Sequence, residues 1–206
     1  MTAQSQHSVE FAYAVGSSVY FRYLTEADAV GNWHHWFNSP DVTQNLAAQY
    51  WVNTPEGQLE YLQILRRSKE RLAVAVVDRK THEHIGIGSL SKLDMLNRRA
   101  EMSLVIGSAA HRSGIHALES LAMLTEIGLV RLNLHKLVAT GLARSEGGLN
   151  LTKLLGYVQT GCFREHAFVG GAWMDGVHLE ILQREWLKSH RRPKTIGWSS
   201  NEQRAG

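Results

Sequence analysis

The sequence predicts a mixed α+β domain, a mostly antiparallel twisted sheet of about seven strands flanked by about four helices. Three observations carry this prediction. Leu72–Asp78 (LAVAVVD), Ile85–Asp94 (IGIGSLSKLD) and a run containing Glu101–Ile106 are β-rich and separated by short polar turns, the pattern of an antiparallel meander. Four other stretches place apolar residues at helical spacing. Two long segments, 157–169 and 177–187, flank Gly170-Gly171 as the arms of a final hairpin.

Each element has its own signal. Residues 18–24 (SVYFRYL) alternate as a short strand, and Thr25-Glu26-Ala27-Asp28 is close to a capping box. Val30, Trp33 and Phe37 then share one helical face, which predicts a first helix running to about Asn38. Thr54-Pro55-Glu56 supplies a cap, a first-turn proline and an acid at the positive helix end. Leu59, Leu62 and Leu65 are the buried stripe of this second helix, which ends in the charges of 66–71.

Ile115, Leu118, Leu121, Ala122, Leu124 and Ile127 form the apolar face of a third helix that opens at Gly114. His135–Leu142 reads as a strand, and 147–155 as a short helix stopped by Gly156.

The chain has 206 residues, 44% hydrophobic and 20% charged, enough for one domain with a proper core. The expected organisation is an N-terminal extension (1–17), a domain (18–187) and a basic tail (188–206). Lys188, Arg191, Arg192, Lys194 and Arg204 face only Glu202 in that tail, so the preceding chain nets about −1 of the formal +3. The isoelectric point near 9.1 therefore reflects the tail, and nucleic acid is not an expected partner. Cys162 is the single cysteine, which excludes an intrachain disulfide. The first sixteen residues lack the basic and apolar regions of a signal peptide, and there is no run of eighteen apolar residues. A cytoplasmic protein with no membrane association is expected.

Residues 99–120 carry most of the functional information. A strand ends near Gly107, a turn follows, and a helix opens at Gly114. Unpaired amides at such a helix start converge where the helix dipole also favours negative charge, so the segment can hold phosphates. It can also be an ordinary helix start with a glycine in its turn.

The element order, together with HRSGIH at 111–116, LHKL at 134–137, LLGY at 154–157 and the closing Gly171-x-Trp173-x-Asp175 and Glu185-Trp186, resembles the GNAT (Gcn5-related N-acetyltransferase) superfamily. The late hairpin is similar to the branch that contains ribosomal-protein N-terminal and nucleotide-amino-sugar N-acetyltransferases. The resemblance spans roughly 18–187 and implies the GNAT fold, acetyl-CoA as acyl donor and an amine-bearing acceptor, with a homodimer left open. HRSGIH stands at the family's pyrophosphate signature, Q/R-x-x-G-x-G/A, with His111 for the Gln or Arg and His116 for the small residue. Ser145 and Gly148 replace Asn and Ser, and Thr152 replaces the tyrosine many members use as general acid.

The resemblance implies that Leu104 and Ile106 offer amides to the pantetheine arm, and that His111, Arg112, Ser113, Gly114, Ile115 and His116 surround the diphosphate. Glu101 is the candidate base. Its structural alternative is a glutamate paired with Arg98 or Arg99. Tyr157, within LLGY, is expected in the core. Trp33 and Phe37 pack as core by their spacing, whereas Trp36, Tyr50 and Trp51 are candidate acceptor contacts, with Trp173 and Asp175 closing the other side. His82-x-His84 and His34-His35 lack partner ligands at metal-site spacing, so no metal is expected. The acceptor implied is a nucleotide-linked amino sugar or other small amine. Protein N-termini are the alternative acceptor, and a non-catalytic acyl-CoA-binding module or an adaptor domain is the alternative function.

Overall fold

The computed structural model describes residues 12–44, 46, 50–112, 114–193 and 197–198. In chain order the strands are β1 (Ala14–Val15), β2 (Val19–Arg22), β3 (Leu72–Asp78), β4 (His84–Asp94), β5 (Arg99–Ile106), β6 (Lys136–Leu142), β7 (Val158–Val169), β8 (Ala172–Leu182) and β9 (Gly197–Trp198). The helices are α1 (Glu26–Val30), α2 (Asn32–Phe37), α3 (Pro40–Thr43), α4 (Pro55–Arg67), α5 (Ile115–Glu126), α6 (Glu146–Leu154) and α7 (Gln183–Trp186). All nine strands form one sheet in the order β7-β8-β6-β5-β4-β3-β2-β1-β9. Every pairing is antiparallel except β5 with β6.

The β3-β4-β5 meander has the predicted order, and helices cover both faces. On one face α5 and α6 bury Val74, Val76, Met102, Leu121, Leu124 and Leu137. On the other, Trp33, Leu62, Tyr20, Ala75 and Val77 form a second core beneath α1, α2 and α4. No helix among the described residues is long and apolar enough to cross a membrane.

The elements outnumber the prediction because several are one or two turns or residues long. The predicted first helix is two helices, because Gly31 (φ −99°, ψ −123°) leaves the helical region. Val30 consequently turns outward and is exposed, while Trp33 is buried as expected. The last strand ends at Leu182 rather than Leu187, since α7 follows and inserts Trp186 into the core, its Nε1 donating to Glu126 at 2.6 Å. Glu126 also accepts two hydrogen bonds from Arg192, which ties the start of the basic tail to α5. β1 and β9 likewise bring parts of both terminal segments into the sheet.

Two carboxylates fix the helices to the sheet. Buried Asp28 takes a bidentate pair from Arg22 at 2.6 and 2.8 Å and caps α1 through Thr25. His84 Nδ1 lies 3.1 Å from its other flank, close enough for attraction but poorly aligned for a hydrogen bond. Burial raises the Asp28 carboxyl, but the Arg22 hydrogen bonds and the His84 ring outweigh it and hold the group far below the usual carboxylate range. Glu119 of α5 accepts from the amides of Ser17, Ser18 and Val19 and from the Ser18 hydroxyl. These bonds likewise overcome burial and lower its carboxyl.

Candidate active site

β5 and β6 run parallel for three pairs only, Arg99 with Lys136, Ala100 with Leu137 and Glu101 with Val138. Beyond Glu101 the strands separate, leaving a V-shaped gap. The register of β5 on β4 is unbroken from Glu101 to Ile106, and the Gly107 amide donates to the Ile85 carbonyl on the β4 side. Alternation then turns the amides of Leu104 and Ile106 into the gap, while their side chains pack on the α5 face. Two free donors in a strand are suited to an extended amide-bearing chain, the chemistry of a pantetheine arm.

At the open end of the V, Gly107 lies directly beneath the Trp36 indole. A Cβ at Gly107 would fall within 1.9 Å of that ring. The chain then makes one 3₁₀ turn (Ala109–His111) and enters α5 through Gly114 at φ +84°, a backbone that favours glycine. Among the described residues no side chain caps the first amides of α5, and the space around Gly114 is open. Arg112 reaches the Gly107 carbonyl at 3.1 Å and keeps a buried Nε without a partner. Open amides, an orphaned guanidinium nitrogen and a positive helix end fit a diphosphate. Ile115 contributes main chain here, its side chain facing solvent. Ser113 lies outside the described residues.

The two histidines of this loop turn toward the sheet. His116 Nε2 is 2.9 Å and His111 Nε2 3.8 Å from Asp78 Oδ2 at the end of β3. His116 thus stands in the cradle with its ring swung aside. Burial raises the Asp78 carboxyl, yet hydrogen bonds from Thr81, His116 and Lys80 bring it down to about 2.

The opposite face of the sheet carries the other half of the site. A cavity of about 430 Å³ is lined by Ser103 and Val105 of β5, Ile87 and Ser89 of β4, and Trp33, Phe37, Trp51, Val52, Tyr61 and Arg71 above them. A second cavity, about 460 Å³, shares Phe37, Trp51 and Val52 and continues toward Thr43, Gln44 and Tyr50. Trp33 and Phe37 therefore serve both core and wall. Neither lining includes a carboxylate among the described residues.

The aromatic candidates divide. Trp51 lines both cavities. Tyr50 reaches across to the β7–β8 hairpin, where its hydroxyl accepts from Gly170 N at 3.2 Å and its ring stacks on Phe168. Trp173 meets the same Phe168 edge-on at 5.3 Å. Trp36 lines neither cavity, because its ring packs on Gly107 and on His84 at 4.9 Å. Asp175 also faces away, accepting from the Glu165 amide at 2.8 Å and closing the irregular turn of pairing in β7. Sequence reasoning missed Val52, Tyr61 and Arg71, whose approach to Trp51 depends on how α4 crosses the sheet.

Glu101 sits at the apex of the V. Its side chain shares a face with Ser103 and Val105, two residues or about 6.8 Å along the strand from the cavity wall. It pairs with Lys92 at 2.6 Å rather than with Arg98 or Arg99. Arg98 instead holds Asn133, and Arg99 holds Asp94. Lys92 stands at φ +52° inside a β-bulge and is largely exposed. Tyr157 is buried and bonded to Thr125, with burial pushing its phenol well above the ordinary value, so it is a core residue. Thr152, where a phenol is usual, donates to the Gly148 carbonyl within α6.

A splayed parallel pair, a glycine-entered helix at its open end and an aromatic-lined cavity across the sheet are joined by a match of residues 18–158 to the acetyltransferase (GNAT) domain family. The chain belongs to the GNAT acetyltransferase family. It is an N-acetyltransferase with acetyl-CoA as acyl donor. Spermidine N(1)-acetyltransferase of Escherichia coli K12 is 25% identical over 150 residues, 70% of this chain and 78% of that protein. An uncharacterized N-acetyltransferase of Bacillus licheniformis is 22% identical over 165 residues, 79% of this chain and 90% of that one. Among solved structures, spermidine N-acetyltransferase from Vibrio cholerae in complex with CoA and spermine superposes with a TM-score of 0.77 at 20% identity, over 84% of this chain and all of that one.

Proposed function

We propose that this GNAT enzyme acetylates a small primary amine by direct attack in a ternary complex, with spermidine-type polyamines as the first acceptor class. The observation that carries the reading is the apposition of the V-shaped gap and the 430 Å³ cavity along one strand, with Leu104 and Ile106 amides on one side and Ser103 and Val105 side chains on the other. The relatives' activities on spermidine support the acceptor class, and the two adjoining cavities suit an elongated molecule.

Acetyl-CoA supplies an activated thioester carbonyl. The free strand amides orient the arm and can donate to the carbonyl oxygen as negative charge develops there. Glu101 takes the proton from the attacking amine, directly or through water, after its exposed partner Lys92 swings away. The neutral amine nitrogen then bonds to the carbonyl carbon, the C–S bond breaks with its electron pair leaving on sulfur, and the second excess proton on nitrogen passes to solvent. With Thr152 in place of a phenol, the thiolate takes its proton from solvent.

The cavity lining favours a second acceptor class. A polyamine carries several cations that carboxylates would pair, whereas this lining offers aromatic rings, apolar groups, the neutral polar side chains of Asn53, Gln58, Ser89 and Ser103, and Arg71. An amine on an uncharged apolar body fits that chemistry better. Thiol release from acetyl-CoA with spermidine, spermine, an arylalkylamine, a nucleotide-linked amino sugar and a peptide N-terminus separates the classes. Turnover with the polyamines supports the first reading and selective turnover with the arylalkylamine the second. Saturable acetyl-CoA binding with no acceptor turned over would overturn both.

A further inference from the structure

We propose that Asp78, His111 and His116 form a binding site for a divalent transition-metal ion, Zn²⁺ being the best chemical match. The three residues come from the end of β3 and from both ends of the glycine loop, and their ligand atoms lie within 4.8 Å of one another. His116 Nε2 and His111 Nε2 are 2.9 and 3.8 Å from the same oxygen, Asp78 Oδ2. Ligands at Zn–N and Zn–O distances of about 2.0–2.1 Å in a tetrahedral shell sit about 3.3 Å apart. The two distances to Asp78 Oδ2 are within about 0.5 Å of that spacing, and the two ring nitrogens, within 4.8 Å of each other, reach it by closing up to about 1.5 Å through rotation of the rings. Two imidazoles and one carboxylate are a zinc ligand set that leaves the fourth position open.

Two of the three ligands are already oriented by neighbours outside the set. Asp78 Oδ1 accepts from the amides of Lys80 and Thr81 and from the Thr81 hydroxyl, which leaves Oδ2 as the atom presented to the rings. Ser108 Oγ is 2.9 Å from His111 Nδ1, where it accepts the Nδ1 proton when Nε2 binds metal. Such outer partners are what fix tautomer and ring plane in metal sites. The rings meet edge to face with centroids 4.8 Å apart, and the three side chains are only 7%, 15% and 21% exposed. An ion there clamps both ends of the glycine loop to β3 and offsets a carboxylate that stands beside a proposed diphosphate cradle.

Chelator-treated full-length protein carrying no affinity tag is titrated with Co²⁺ and then with Zn²⁺. The expected result is one Co²⁺ per chain with the visible absorption of a four- or five-coordinate site, displaced by one equivalent of Zn²⁺, and a Zn²⁺-dependent rise in melting temperature. His111→Gln and His116→Gln should each abolish that absorption while keeping the native circular dichroism. Ser108→Ala should weaken Zn²⁺ about 10-fold, as loss of an outer partner does. His34→Gln, in the other histidine pair, should bind as the parent does. Weak six-coordinate Co²⁺ binding only, or unchanged Zn²⁺ affinity in folded His111→Gln and His116→Gln proteins, would overturn the site.

Discussion

The proposed donor side of this enzyme is made of main chain and the proposed acceptor side of side chains. Around β5 and the start of α5, the useful groups are the amides of Leu104 and Ile106, the uncapped turn of α5 and the open backbone at Gly114. Across the sheet, the proposed acceptor cavity is lined by Trp51, Val52, Tyr61 and Arg71, drawn from a loop, a helix and the entry to β3. A backbone site tolerates changes in most side chains while its geometry holds, so His111 and His116 can depart from the family pattern without dismantling it. A side-chain site changes its ligand whenever a lining residue changes.

The largest effect should come from breaking the donor side at its glycine. Gly114→Glu combines a strained φ with a carboxylate in an anion cradle, a like-charge clash worth several kcal/mol, and should remove measurable acetyl-CoA binding by calorimetry. Acetyl-CoA affinity equal to the parent's would show that the loop does not hold the diphosphate. Next comes the scaffold that both sides share. Asp28→Ala strands buried Arg22 and should cost about 3–5 kcal/mol in denaturant unfolding, as for other broken buried pairs.

Glu101→Gln probes the apex where the two sides meet. It should lower kcat about 100-fold with acetyl-CoA affinity retained, and full activity would remove Glu101 as base. On the acceptor side alone, Trp51→Ala should raise the acceptor KM about 10-fold and leave acetyl-CoA affinity unchanged, the separation expected of two independently built halves. An equal loss of donor affinity would join the halves into one unit.

The smallest effect is on acid stability. Asp28 and Glu119 both ionise below the ordinary carboxylate range when folded. The stability they add is complete above the unfolded carboxylate values near pH 4 and is lost as pH falls below them toward the folded ones. The melting temperature should therefore be level from neutrality to about pH 5 and then drop. Glu119→Gln should make that drop shallower.

The donor side was also the more legible half, for the same reason. A meander of β-rich runs, a glycine before an apolar helix and a hairpin about Gly170-Gly171 are local patterns, and the fold follows them closely. Boundaries failed where tertiary packing overrode local preference. The break at Gly31 turns Val30 outward, and Trp186 draws residues 183–186 into a helix because its indole finds Glu126 inside the core. Trp36 resembled a substrate contact because it sits among aromatics, yet its partner is a glycine 71 positions later, with which no sequence pattern links it. Asp78 and His116 are likewise 38 residues apart, so their meeting could not be read from histidine spacing.

The Tyr50 hydroxyl and the Gly170 amide are 120 residues apart, and Arg144 bridges to the Gln44 carbonyl across 100. Contacts of such separation close large loops, whose entropy must be met before they return any stabilisation. The rim of the proposed acceptor cavity should therefore assemble after the meander and α5 have joined. On refolding, the chain should regain its affinity for the donor before it regains its choice of acceptor.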